Sequence, residues 1–298
     1  MANLRDVRLR MRAIRQTLQV TKAMNLISTA KLRKGRRVLE DTEPFFTRIQ
    51  KSMYDIFAGA GGNVQSDFFG KAAGTGGNAS RTAVVVVTSD KGLAGGYNAN
   101  ICRYVTGLCS RTNNPILILI GSVGYRYFIH SSFLILENFS FKSRLPEMED
   151  AKEIADYIIS QYLWGMFDAV HIVYTHMYSA VKLLPLERQI LPLRVEILRK
   201  ELTRIDSRQR VPLKFEYLPS AAEVFNALVP LYVKGIIYGS LVESYASEQS
   251  ARMTAMDEAS KSAEDMLALL QINYNRARQA GITQEVSEIV SGSAALSE

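Results

Sequence analysis

After Pro230 the chain runs to its end without another proline. From Leu228, just before it, small, polar and apolar residues recur at steps of three and four: Leu228, Tyr232, Gly235, Gly239, Val242, Ala246, Gln249, Met253, Met256, Ser260, Ala263, Leu267, Leu270, Tyr274, Ala277. That spacing is the seam of a helix paired with another helix. The first segment carries the same signature at Leu4, Val7, Met11, Ile14, Leu18, Thr21, Asn25, Ser28 and Leu32, with Pro44 its only proline. Two long helices at the two chain ends leave few possible folds. They would run about 80 Å and about 100 Å at roughly 1.5 Å per residue. A domain the size of the intervening stretch has a radius of gyration of about 14 Å. Helices that outreach the domain they flank are expected to pair with each other, antiparallel.

Between them the period changes. Residues 59–80 are rich in glycine and polar side chains, and read as a flexible loop. From about Arg81 to Tyr217, short apolar runs (Val84–Thr88, Ile116–Gly121, Phe133–Phe139, Ala169–Tyr178, Lys182–Leu193) alternate with helical stretches near Asn98–Ser110, Ser122–His130 and Glu147–Trp164. Strand–helix alternation predicts an α/β domain with a mostly parallel, Rossmann-like sheet, to which the last two runs add an antiparallel pair. The expected organisation is an N-terminal coiled-coil helix (1–58), the loop (59–80), the α/β domain (81–217) and a C-terminal coiled-coil helix (218–298). Pro219 is expected in the first turn of that last helix, and Pro230 near its start or at a kink.

Charge is unevenly placed. The formal total is +7, yet residues 1–58 alone hold thirteen Lys and Arg against five acids. Between Val7 and Leu39 there are ten basic residues and no acid. A solvated face, an acidic protein surface and nucleic acid all suit such a stretch. Aromatic residues are absent from it, so bases would find nothing to stack on. No apolar run is read as reaching membrane-spanning length, and the start shows no leader. Cys102 and Cys109 lie seven apart in one predicted helix, roughly 10 Å from each other. That is too far for a disulfide, and they read as buried thiols.

The stretch "SDKGLAGGYN" (Ser89–Asn98) follows a valine-rich strand and precedes a helix. Strand, glycine loop and helix can cradle phosphate. The glycine order fits neither common phosphate-binding pattern. Ser89 or Asp90 is expected near a helix cap instead. No catalytic constellation assembles: His171 and His176 point to opposite faces of one strand, and no cysteine–histidine spacing suits a metal. Glu147, Glu149 and Asp150 read as the first turn of a helix. No catalytic, cofactor or metal residues are expected.

Four stretches, "TLQVTKAMNLISTAKLRK" (Thr17–Lys34), "SDKGLAGGYN", "SYASEQSARMTAMDEAS" (Ser244–Ser260) and "YNRARQAGITQEVSEIVSGSAAL" (Tyr274–Leu296), closely resemble the gamma subunit of F-type ATP synthases of bacterial type, in order and over nearly the whole chain. The resemblance implies a central rotor shaft. It couples ion-driven turning of a membrane c-ring to conformational cycling of the beta subunits, with no chemistry on the shaft and no cofactor. The implied partners are three alpha and three beta subunits, epsilon and the c-ring. Nucleic acid is not among them, and membrane contact comes only through other subunits. The implied location is peripheral, on the cytoplasmic face of a bacterial plasma membrane. Matching positions suggest that Arg278, Gln279, Thr283 and Glu285 face catch loops of beta. Ile289, Val290, Ala294 and Leu296 would sit in an apolar sleeve. Lys22, Met24, Arg33, Lys34, Arg36, Arg37 and Lys91 would meet lever loops of beta. The chain departs from the family at Ala94, where Cys is frequent, and at Ser291 and Ser293, where Gly is. It lacks the inserted cysteine pair of the chloroplast form, which argues against thiol control. Two other readings stay open on the residues alone: a nucleotide-binding α/β enzyme with helical extensions, and a basic coiled-coil binder of nucleic acid.

Overall fold

The computed structural model describes residues 4–60, 64–69, 81–141, 144–179, 182–194 and 217–295. Five α-helices, a short 3-10 helix (Asp67–Phe69) and five strands are described: α1 (Leu4–Gly59), β1 (Thr82–Val87), α2 (Tyr97–Cys109), β2 (Pro115–Ile120), α3 (Ser122–Phe128), β3 (Leu134–Phe139), α4 (Met148–Leu163), β4 (Ala169–Met177), β5 (Leu183–Leu191) and α5 (Ala221–Ala295). The chain forms two compact units, Met1–Thr29 with Arg252–Glu298, and Ala30–Ala251.

In the larger unit the strand order is β3-β2-β1-β4-β5. The first four are parallel and β5 is antiparallel to β4. The sequence explains why. β1 and β2 read TAVVVV and PILILI, and both are buried on both faces, as central parallel strands require. One face (Val84, Val86, Leu117, Leu119) packs on Ile101, Cys102 and Val105 of α2 and on Phe128. The other (Val85, Val87, Ile118, Ile120, Ile172) packs on Ile154 and Ile158 of α4, on Met53 and Ile56 of α1, and on Phe225, Val229 and Val233 of α5. The ends of both long helices are thus core elements of the α/β unit.

In the smaller unit the seam read from the sequence is buried. Val7, Met11, Thr21 and Ser28 of α1 face inward, as do Met256, Ser260 and Ala263 of α5. The pairing is antiparallel. Asn25 Nδ2 donates to the Met253 carbonyl at 3.1 Å, Ser260 Oγ lies 2.8 Å from Thr21 Oγ1, and Arg8 donates to Tyr274 Oη at 2.8 Å.

Pro230 is the tenth residue of α5. Three expectations need correction. Pro219 lies before α5, not in its first turn; Ser220 precedes the helix, and its Oγ accepts from the Glu223 backbone N–H at 3.2 Å. Residues 64–69 are packed structure rather than flexible loop: Val64 and Phe68 are buried, and Leu193 N–H donates to the Phe68 carbonyl at 2.7 Å. The rest of the glycine-rich stretch past Ala60 lies outside the described residues. Finally, α5 does contain an 18-residue window apolar enough for a membrane span, with mean hydropathy 1.4, and 56% of that window is buried inside the protein. Its apolarity serves the core.

Candidate functional site

In an open parallel sheet, ligands sit at the carboxyl ends of the strands where the chain order reverses. Here that place lies between β1 and β4, beside the glycine loop, and α5 already fills it. Tyr97 Oη, at the start of α2, is 2.7 Å from Ser244 Oγ of α5. Ser247 Oγ donates to the Thr175 carbonyl of β4 at 2.9 Å. Beside it, over the ends of β1 and β2, lies a cavity of about 50 Å³ lined by Val87, Ile120, Tyr97 and Ser244, far below what a nucleotide needs.

The polar groups of the loop are also committed inward. Thr88 Oγ1 donates to the Ile120 carbonyl at 2.9 Å and accepts from Gly124 N–H at 3.0 Å. Asp90 accepts from the Ser122 backbone N–H at 3.0 Å, capping α3, and from the hydroxyls of Ser122 and Ser140. Asn98 Nδ2 donates to Ser89 Oγ at 2.7 Å. Both expected capping residues therefore bind structure. Left at the surface are Lys91 and Leu93. Leu93 is 65% exposed and held at φ 63°, a region that ordinary side chains avoid. Sequence reasoning missed this residue, because a leucine among glycines signals nothing until its backbone angle is known.

His171 and His176 hold structural partners. His171 Nδ1 is 2.7 Å from Glu187 on the neighbouring strand. His176, on the opposite face, pairs with Glu243 of α5. Burial raises the Glu243 carboxyl above its ordinary range, and the facing His176 partly offsets this. Burial also pushes the Cys102 and Cys109 thiols up to about 11. Among the described residues no cluster suits a metal ion.

The outward-facing candidates divide between the two units. In the smaller unit, Arg278, Gln279, Thr283, Glu285, Ile289 and Val290 are all exposed. Beyond Ala277 every side chain described on α5 faces solvent. Ile282, Val286, Ile289 and Val290 are 52%, 53%, 72% and 62% exposed. They recur at helical spacing, an apolar stripe of the kind that marks a partner surface. Lys22 is exposed but bridged to Glu264 at 2.7 Å, and Met24 is half-buried. In the larger unit, Arg33, Lys34, Arg36 and Arg37 are exposed. Arg36 Nη2 reaches Met177 Sδ at 3.0 Å, and Arg37 faces Asp41 at 3.9 Å. Leu296 lies outside the described residues, as does the side chain of Ala294.

The ATP synthase family matches this chain over residues 3–296. An ATP synthase gamma chain of Acetivibrio thermocellus is 39% identical over 297 residues, covering 99% of this chain and 100% of that protein. The chain belongs to the ATP synthase gamma chain family. A second gamma chain, from Ruminiclostridium cellulolyticum, is 41% identical over 295 residues and covers 99% of each protein. The fold is shared with a chain of the Tetrahymena thermophila mitochondrial ATP synthase central stalk and c-ring structure, at TM-score 0.60 and 23% identity, over 81% of this chain and 99% of that one. As a gamma chain, the protein is the central rotor shaft of an ATP synthase.

Proposed function

We propose that this gamma chain transmits torque as a non-catalytic element, with ATP made and split on neighbouring subunits. The carrying observation is the apolar stripe Ile282, Val286, Ile289 and Val290 on a helix end whose described side chains, from Arg278 to Ser291, all face solvent. A helix end left so apolar calls for an enclosing partner. Ile289 and Val290, with Ala294 and Leu296, sit in a sleeve formed by alpha and beta. Arg278, Gln279, Thr283 and Glu285 contact catch loops of beta. Lys22, Met24, Arg33, Lys34, Arg36, Arg37 and Lys91 meet acidic lever loops. A sleeve contact with sparse ion pairs lets the shaft slip past three similar partners, since no single position binds tightly. Each orientation favours a different conformation of the beta subunit it faces, which is coupling by differential contact. The α/β unit docks on epsilon and on the c-ring, which places the protein peripherally at the cytoplasmic face of a bacterial plasma membrane.

Single cysteines at Arg278 and Ile289, cross-linked in the assembled complex, test this reading. Capture of alpha or beta is expected. Links formed only between copies of this chain would sink it. Tight ATP or NAD binding by the purified chain would favour the enzyme reading instead.

A further inference from the structure

The glycine loop carries one residue that its own fold does not explain. Leu93 is held at φ 63°, in the left-handed region, where the approach of a Cβ to the backbone penalises residues other than glycine. The other left-handed residue of the loop, at φ 54°, is Gly95, the residue type that angle favours. The angle at Leu93 is imposed from both sides. Before it, Ser89 is buried and its Oγ donates to the Lys91 carbonyl at 2.7 Å. After it, Ala94 is buried and its carbonyl accepts from the Tyr97 N–H at 3.2 Å.

A leucine offsets such strain by taking its side chain out of water. This one is 65% exposed, so the isolated chain holds the strain and gains little packing in return. A strained residue that the surrounding fold does not use is a mark of a contact site. The neighbouring surface says which contact fits. Lys91 is exposed two residues away, while the Asp90 carboxylate is turned onto Ser122 and Ser140. The loop tip thus presents an apolar side chain and a cation together, the complement of an apolar socket with an acidic rim.

We propose that Leu93 is a contact residue of the rotor: its side chain enters an apolar socket on the beta subunit, and Lys91 faces a carboxylate at the rim of that socket. This rests on the reading of the loop as a beta-facing part of the shaft, and adds to it an apolar contact at a named position. Such a contact suits a part that must let go as the shaft turns, since apolar attraction is not directional and asks for no fixed ion-pair geometry.

Two variants test the proposal, each in the isolated full chain and in the assembled complex. Leu93→Cys puts a thiol at the loop tip, against a background of two buried cysteines, Cys102 and Cys109. Maleimide labelling of that thiol is expected to be about tenfold or more slower in the complex than in the isolated chain. Leu93→Gly eases the backbone and removes the side chain. The isolated variant is expected to show an equal or higher denaturant midpoint. ATP-driven ion pumping by the complete membrane complex is expected to fall about threefold or more with the same variant. A native chain that does not assemble with alpha and beta sinks the rotor reading, and this contact with it. Normal assembly with equal labelling in both states, a midpoint lowered by Leu93→Gly, or undiminished pumping by that variant overturns the contact alone.

Discussion

Gly121 holds φ at +98°, and a Cβ there would stand 2.7 Å from the Thr88 carbonyl carbon and 2.8 Å from its Oγ1. Thr88 cannot retreat, because its hydroxyl joins the Ile120 carbonyl to the Gly124 N–H. Gly121→Ala is therefore expected to cost about 2–4 kcal/mol, read as a lower denaturant midpoint of the full chain with unchanged slope. The neighbouring Asp90 offers a gentler perturbation. Asp90→Ala removes the cap of α3 and should cost about 1–2 kcal/mol in the same titration. The buried thiols give a pH dependence. Burial moves Cys102 and Cys109 from 9.0 up to about 11, so the unfolded chain loses these protons first. Their contribution to stability is whole below pH 9 and is lost as pH rises towards 11. At pH 8 the native thiols should react with a thiol reagent about 100-fold more slowly than in denaturant. Equal rates would show that the cysteines are not held in the core.

Among the elements, the two long helices were the most legible from sequence. Every seam position of α1 from Val7 to Leu32, and every one of α5 from Gln249 to Ala277, is buried or half-buried. A three–four step sustained over many turns has no competing explanation. The central strands were legible for a similar reason, since the near-continuous apolar runs TAVVVV and PILILI fit burial on both faces. The start of α5 was not. Pro219 and Ser220 both suit a helix start, and only the Ser220 hydroxyl bond to Glu223 decides between them. The membrane-length window was overlooked because α5 changes character along its length. Its first half is core, with Phe225, Val229, Val233 and Ile237 all fully buried, while its second half is a seam of small and polar groups. That seam invites a test. Ser260→Ala with Thr21→Val removes both buried hydroxyls together, and is expected to leave the thermal midpoint nearly unchanged or higher. Thr21→Val alone strips one partner from Ser260 and should lower it, by about 1–2 kcal/mol in free energy.

For the whole molecule, the exposed end of α5 separates stability from function. Ile289→Asp with Val290→Asp touches no internal contact among the described residues, so the isolated chain should melt as before, within about 0.5 kcal/mol. In the assembled complex the same pair places charges where an apolar sleeve is proposed. Assembly with alpha and beta, followed by co-purification and ATPase activity, should weaken by tenfold or more. A complex that assembles and turns over normally would remove the sleeve contact from the reading. The other large-scale feature is α5 lying across the strand ends of the α/β unit. In a nucleotide-binding domain of this topology, that position belongs to a molecule that arrives, binds and leaves. Here the occupant is part of the same chain, held at the high effective concentration of a covalent tether. The α/β unit therefore behaves as a receptor that never empties. Cut free of Ser220 onward it would lose Phe225, Val229, Val233 and Ile237 from its core, so it should unfold rather than persist empty, and a separate peptide spanning that part of α5 should be needed for it to fold at all.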